Sequence, residues 1–210
     1  MRLNRSHPEP VVDDVVRVSR AWYDRKARDY DRRTGSYARF PGLIDEIGRF
    51  ADDLTPHTGP VLDLGCGTGR DTEFLHERGL PVVCADLSTA MLRATTARCQ
   101  VPAVQLDMRA LPFRTGTLVG AWVCASLLHL PRTGIPAVLD ELHRVLCVGG
   151  RVAVSMRQPV EDEDGYQNGR WFTYIDSEDF VELLGANGFT RCVAEPSGRG
   201  NWYIAHATKP

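Results

Sequence analysis

With 210 residues, 43% of them apolar, the chain has the length of one domain and enough hydrophobic material for one sizeable core. Its formal net charge of −2 supplies no basic footprint of the kind that holds nucleic acid through counterion release, so no nucleic-acid partner is expected. The N-terminal "MRLNRSHPEPVVDD" lacks the apolar run of a signal peptide, and no later stretch reaches the roughly 18 apolar residues of a membrane span; a cytoplasmic address with no membrane partner is expected.

Residues 11–33 place Val12, Val15, Val16, Trp22 and Tyr23 at helical spacing on a charged segment, with Ser19 breaking the apolar stripe, and predict a surface helix. "FPGLIDEIGRFADDL" repeats that spacing through Leu43, Ile44, Ile47, Phe50, Ala51 and Leu54, and "TPHTGP" ends it. Strands and helices then alternate: a strand near 61–64, a helix over 68–78, the strand "PVVCAD", the helix "STAMLRATTARC", a strand near 102–106 and the apolar strand "LVGAWVCAS". The helix "GIPAVLDELHRVL", the strand "GRVAVSM", the helix "SEDFVELLGANG" and strands near 189–195 and 201–207 complete the series. Strands apolar on both faces that alternate with helices predict a mostly parallel sheet covered on each side. The last two strands are joined only by "PSGRG", too short for a parallel crossover, so they are expected to pair antiparallel. The cysteines Cys66, Cys84, Cys99, Cys124, Cys147 and Cys192 are scattered with no CxxC pair and read as buried free thiols.

"VLDLGCGTGR", residues 61–70, sets Gly65, Gly67 and Gly69 at alternate positions just after Asp63. A plain strand-to-helix turn needs one residue at positive φ, whereas three alternate glycines let the backbone pass close beneath a flat ligand. The third glycine comes one residue early for the dinucleotide pattern G-x-G-x-x-G, which argues against NAD. In an open parallel sheet, ligands bind beyond the carboxyl ends of the strands, where strand order reverses. Asp86 closes the second strand, where a carboxylate accepts from both hydroxyls of a ribose. Asp107 follows the third, placed to accept from an exocyclic amine while the Met108 N–H donates to the ring. One adenosine-type ligand across these strand ends would meet all three acids in order.

Together, "VLDLGCGTGR", "CADLS", "LDMRALPF", "ASLLHLP" and "LHRVLCVGGRVAVSM" resemble the class I S-adenosylmethionine-dependent methyltransferases, in the branch acting on small molecules. The likeness is close over about residues 55–156 and looser in the tail. It implies an α/β, doubly wound, Rossmann-like fold: a seven-stranded, mostly parallel sheet with an antiparallel last strand and helices on both faces. A helical cap would occupy residues 1–58, the cofactor-binding core 59–156, and an acceptor loop with the C-terminal helix and strands 157–210. The resemblance also implies S-adenosyl-L-methionine as cofactor, cradled at its methionine end by Asp63, Gly65, Cys66, Gly67 and Gly69. Asp86 and Leu87 would hold its ribose, and Asp107 and Met108 its adenine. "AWYDRKARDYD" resembles the family's Y-D-x-x-A-x-x-Y-D cap, in which the first tyrosine, here Tyr23, lies over the methionine end. The alternative is that Trp22, Tyr23 and Tyr30 are the buried stripe of a surface helix.

A sulfonium is already a good leaving group, so such a protein mainly aligns the acceptor and excludes water, with a base where the acceptor carries a proton. His129, just past the fourth strand, is the candidate catalytic base because a near-neutral pKa suits proton removal; a histidine that packs on the cofactor or caps the next helix is the alternative. His143, mid-helix, reads as structural. The longest non-periodic stretch, "RQPVEDEDGYQNGRWFTYIDSED", reads as a lid or acceptor wall with Tyr166, Arg170 and Trp171 as acceptor-binding residues. Arg170 either anchors an acceptor carboxylate or pairs with the acidic run 161–164, itself read as a solvated face. The expected activity is methyl transfer to an O or N atom of a small molecule, with specialised metabolism as its setting, by a monomer or homodimer without a metal. No D/N-P-P-Y/F motif supports a nucleobase acceptor. Two other readings keep the cofactor: a non-transfer reaction on the same fold, and a regulatory module that binds without turnover.

Overall fold

The structure, a computed structural model, describes residues 10–54, 58–160 and 163–210. Part of "TPHTGP", the first nine residues of the chain and two of the acidic run lie outside the described residues. Helices α1 (Val12–Thr34) and α2 (Leu43–Asp53) come first, followed by β1 (Val61–Leu64), α3 (Arg70–Glu77), β2 (Val82–Asp86), α4 (Thr89–Arg98) and β3 (Ala103–Gln105). Next come β4 (Leu118–Cys124), α5 (Ile135–Val145), β5 (Leu146–Arg157) and a hairpin of β6 (Gly165–Gln167) and β7 (Arg170–Phe172). Helix α6 (Ser177–Ala186) and strands β8 (Thr190–Pro196) and β9 (Trp202–Thr208) follow.

Seven strands form one sheet in the order β3-β2-β1-β4-β5-β9-β8. The five strands through β5 run parallel, and β9 alone is reversed, antiparallel to both β5 and β8. The chain steps outward from β1 to β3 and then returns to place β4 on the other side of β1. A crevice therefore opens beyond the carboxyl ends of β1 and β4.

The pleat sorts side chains to two cores. Leu62 and Leu64 of β1 join Ala121 and Val123 of β4 against Val138, Leu139, Leu142 and Phe180 of α5 and α6. Val61, Val119 and Trp122 face the other way, onto Leu43, Ile47 and Phe50 of α2. Gly120 lets that helix approach: a Cβ there would lie 2.8 Å from Leu54 and 3.1 Å from Phe50. All six cysteines are free, as expected, but only Cys66, Cys84 and Cys99 are buried, while Cys124, Cys147 and Cys192 are partly exposed.

Residues 163–179 hold more regular structure than their lack of periodicity suggests. Asn168 (φ 51°) and Gly169 (φ 80°) are both left-handed and close the β6–β7 hairpin, with Gln167 paired to Arg170. An Asn-Gly pair is the usual chemistry of a two-residue hairpin turn, but arms of three residues are too short to show strand alternation. The acidic run is not wholly a solvated face either, because Asp164 accepts from Arg132 Nε at 2.6 Å and from the Tyr174 N–H at 2.9 Å.

Beneath the crevice, the buried carboxylate of Asp71 accepts from Arg70 Nε and Nη2 (2.7 and 3.0 Å), Tyr37 Oη (2.8 Å) and Trp122 Nε1 (2.9 Å). Burial opposes its charge, but the Arg70 guanidinium and these donors outweigh burial and hold its pKa below the usual carboxylate value. Asp71→Asn leaves the guanidinium without its counter-charge and is expected to destabilise the fold by about 3 kcal/mol. Because the folded pKa is depressed, this stabilisation is complete above about pH 4 and is lost as pH falls through the folded value. Urea unfolding of both proteins at neutral pH measures the difference; a loss under about 1 kcal/mol would show the network to be dispensable.

Candidate active site

A recess lies over the strand ends. Leu64, Gly65 and Gly67 from the β1–α3 turn and Asp86 and Leu87 from the end of β2 form one side. Leu106, Asp107 and Met108 follow from β3, and Ala125, Ser126, His129 and Leu130 from the segment after β4. Helix α1 roofs the space with Val16, Ser19, Tyr23 and Tyr30.

Gly65, Gly67 and Gly69 have φ of 76°, 57° and 88°, so all three alternate positions are left-handed. A Cβ on Gly65 would sit 2.3 Å from that of Ser126, and one on Gly69 would sit 2.9 Å from the Thr95 Cα. The turn thus wedges between the end of β4 and α4 in a way that other residues forbid.

Two of the three strand-end acids meet the recess. Asp86 accepts from the N–H groups of Gly67 (3.0 Å) and Ser88 (2.8 Å), and burial pushes its pKa up to about 6. Asp107 accepts from Arg109 Nη2 at 2.6 Å and from the Arg109 N–H at 2.9 Å; burial opposes its charge, yet Arg109 holds its pKa down. Asp63, expected beside them, points away, since the pleat that turns Leu62 and Leu64 one way turns Asp63 the other. Its buried carboxylate accepts from Thr72 Oγ1 at 2.5 Å, and burial together with the neighbouring Asp71 pushes its pKa up to about 8. Asp63 therefore fastens β1 to α3. Cys66 and Gly69 also lie behind the recess wall, with Cys66 Sγ 3.7 Å from Thr95 Oγ1.

Tyr23 Oη and His129 Nε2 meet at 2.7 Å. His129 Nδ1 is 2.8 Å from the Trp171 carbonyl oxygen, which can only accept, so Nδ1 carries the proton and Nε2 is the bare acceptor. Tyr23 must then donate to His129, while Arg170 Nη1 donates to Tyr23 Oη at 2.9 Å. The proton order runs one way, from Arg170 through Tyr23 and His129 to the Trp171 carbonyl.

Tyr23, Phe172 and the Trp171 backbone enclose the imidazole. Burial and, after it, the Arg170 charge push the His129 pKa down to about 4. Burial, with Tyr30 adding to it, pushes the Tyr23 phenol up. The near-neutral base expected at His129 is therefore corrected: the ring is neutral at physiological pH and its lone pair is occupied.

Arg170 pairs with neither Glu163 nor Asp164, the described residues of the acidic run; its guanidinium carbon lies 4.2 Å from the Trp22 ring centre. Trp171 is buried, donates from Nε1 to Thr173 Oγ1 at 2.8 Å and serves the site through its carbonyl. Tyr166 is 49% exposed and stands edge-on to Trp171, outside the recess. His143 packs edge-on to Phe189, in keeping with a structural role.

Several participants were not singled out from sequence. Asp24 accepts from Ser88 Oγ at 2.6 Å at the start of α4, and Asp31 pairs with Arg98 at 3.0 Å at its end. Each Tyr-Asp pair thus divides its work: the tyrosine faces the recess and the aspartate pins α1 to α4. Ser19, which breaks the apolar stripe, lines the recess with a buried hydroxyl that has no partner among the described residues. Among those residues no group of three or more His, Cys, Asp or Glu is placed to hold a metal ion, and no helix is long and apolar enough to cross a membrane.

Sheet order, glycine turn and the Asp86 carboxylate define a methyltransferase-type α/β architecture, and residues 61–150 match the methyltransferase domain family. These likenesses support the resemblance to the class I S-adenosylmethionine-dependent methyltransferases that the sequence motifs carry. It is 40% identical over 103 residues to the demethylmenaquinone methyltransferase of Corynebacterium urealyticum, covering 49% of this chain and 43% of that protein. Over 133 residues it is 34% identical to the malonyl-[acyl-carrier protein] O-methyltransferase of Pectobacterium atrosepticum, covering 60% and 51%. The chain spans between 31% and 63% of the length of the first curated relatives it matches. The Burkholderia thailandensis 1,6-didemethyltoxoflavin-N1-methyltransferase, solved with 1,6-didemethyltoxoflavin and S-adenosylhomocysteine, shares the fold with a TM-score of 0.77. That match covers 98% of this chain and 93% of the other at 21% identity.

The turn at Gly65 gives a direct test of the site. Gly65→Ala combines a positive φ with a Cβ driven into Ser126 and is expected to cost about 2 kcal/mol or more. Denaturant unfolding reads the cost; wild-type stability would mean that the turn has another conformation open to it.

Proposed function

We propose that the chain transfers the methyl group of S-adenosylmethionine to an oxygen or nitrogen atom of a small molecule. The observation that carries this reading is one recess with two chemically distinct ends: the left-handed glycines and Asp86 at one, and the one-way Tyr23–His129 hydrogen bond at the other. When bound, the cofactor supplies an electrophilic methyl on a sulfonium.

The chain's residues fit it. The Gly65 and Gly67 backbone would hold the methionine end beneath Tyr30, whose ring already lies close enough that a Cβ on Gly67 would be 3.5 Å from it. Asp86 would accept from the ribose hydroxyls, and the apolar Leu87, Leu106 and Met108 would border the flat base beside Asp107. The unpartnered Ser19 hydroxyl is a further polar contact awaiting a ligand. Helix α1 excludes water, and His129 acts as a positioning residue that orients Tyr23. The relatives named for demethylmenaquinone, for malonyl-[acyl-carrier protein] and for 1,6-didemethyltoxoflavin support a small organic group as acceptor, carried on a protein in the second case. No observation favours a non-transfer reaction or a binding-only role.

Titration calorimetry with S-adenosylmethionine, S-adenosylhomocysteine and NAD tests the assignment. Binding near about micromolar for the first two and none for NAD is expected; no binding of either adenosyl compound would sink the reading. Asp86→Ala should weaken S-adenosylhomocysteine by about 1–3 kcal/mol by removing the ribose acceptor. In the wild type, affinity should fall as pH drops below about 6, where Asp86 gains a proton, and this fall should be absent from Asp86→Ala. Identical pH profiles for the two proteins would remove Asp86 from the site.

A further inference from the structure

Arg170 is a cation without a counter-charge. Among the described residues no carboxylate pairs with it, and its one hydrogen bond is the Nη1 donation to Tyr23 Oη. Its Nε is buried with no partner. The guanidinium is set among aromatic faces, 4.2 Å from the Trp22 centroid, 5.1 Å from Phe172 and 5.4 Å from Tyr23. Aromatic faces attract a cation but do not satisfy its N–H groups, and a buried donor without a partner is costly. Such an arrangement in a folded chain points to a ligand that completes it.

The groups around Arg170 narrow the ligand's chemistry. A neutral hydroxyl acceptor would have to leave its proton in the recess, where the titratable groups already have partners. His129 Nε2 accepts from Tyr23, Asp86 accepts from two backbone N–H groups, and Asp107 is held by Arg109. An acceptor that arrives ionised needs none of them.

We propose that the methyl acceptor enters as a planar oxyanion of the carboxylate type, bordered by aromatic side chains, and that Arg170 is its counter-cation and the specificity-determining residue. This rests on the methyl-transfer reading above. An oxygen lone pair of the anion forms the new O–C bond while the S–C bond breaks with its electron pair passing to sulfur. A sulfonium and an oxyanion become a neutral thioether and a neutral methyl ester, and no proton has to leave. The ester has lost the charge that Arg170 holds, so product binds more weakly than substrate. Tyr23, fixed by His129 and Arg170, lines the recess beside the anion, and the neutral imidazole adds no competing charge.

The test uses protein saturated with S-adenosylhomocysteine and two probes of nearly equal shape, benzoate and benzamide, titrated by calorimetry. Wild type is expected to bind benzoate at least about tenfold more tightly than benzamide. Arg170→Gln should abolish the preference, and Arg170→Lys, which keeps the charge but not the planar fork, should retain part of it. S-adenosylhomocysteine affinity should stay within about twofold of wild type in both variants, which shows the recess intact. Equal binding of the two probes to wild type, or an undiminished preference in Arg170→Gln, overturns the proposal while leaving the cofactor assignment standing. Failure of S-adenosylhomocysteine to bind the wild type removes both.

Discussion

The recess exists because α1 lies across the strand ends, and α1 is held there mainly by polar contacts. Of its 23 residues only Val15 and Ser19 are buried, although Val12 and Val16 pack partly on the core. The ties are Asp13 to Arg109 at 2.8 Å, Asp24 to Ser88, Asp31 to Arg98 and Tyr23 to His129. The first joins a largely exposed Asp13 and is worth about 1 kcal/mol or less, and the others are only part-buried. The strands below are buried on both faces, so sheet and roof differ sharply in what it takes to move them. A roof fastened this way opens locally while the sheet stays folded, as a site that must take in a ligand beneath a helix requires.

Burial acts on every ionisable group near the strand ends, and the partner decides the outcome. Asp71 keeps its charge because Arg70 is bound to it through two hydrogen bonds. Asp63, on β1 with the Thr72 hydroxyl donating to it, has its pKa pushed up instead, first by burial and then by the neighbouring Asp71 carboxylate. His129 has no carboxylate and has Arg170 nearby, so it is neutral. The result is a charged centre beneath the crevice and a neutral Tyr23–His129 pair within it, with the Arg170 cation standing behind Tyr23.

Much of this was legible in the sequence for identifiable reasons. Apolar runs marked the strands because they are buried on both faces, and glycine spacing marked the turn because a left-handed backbone leaves few other residues open. The orientation of Asp63 was also there to be read: an acid between Leu62 and Leu64 points opposite to them, so the same pleat cannot bring it and them to one side. The Asn168-Gly169 hairpin was likewise visible as turn chemistry but hidden by the shortness of its arms. The Arg170–Tyr23 contact joins residues 147 apart in the chain, and no local pattern encodes it. The His129 pKa was misjudged for a related reason, because it depends on enclosure by Phe172 and on the charge of Arg170, both supplied by a distant hairpin.

That hairpin also bears on which atom is methylated. In a recess closed to water, separated charges are costly, and a reaction that removes them gains from the same enclosure. Transfer to an oxyanion removes one positive and one negative charge and leaves Arg170 as the only charge of the pair. Transfer to a neutral nitrogen keeps the positive charge and moves it onto the acceptor, near an arginine that pairs with no carboxylate among the described residues. The electrostatics of the wall thus favour oxygen over nitrogen, and they do so through a carbonyl: Trp171 fixes the His129 tautomer, His129 fixes the Tyr23 proton, and no vacant base remains to relieve the charge.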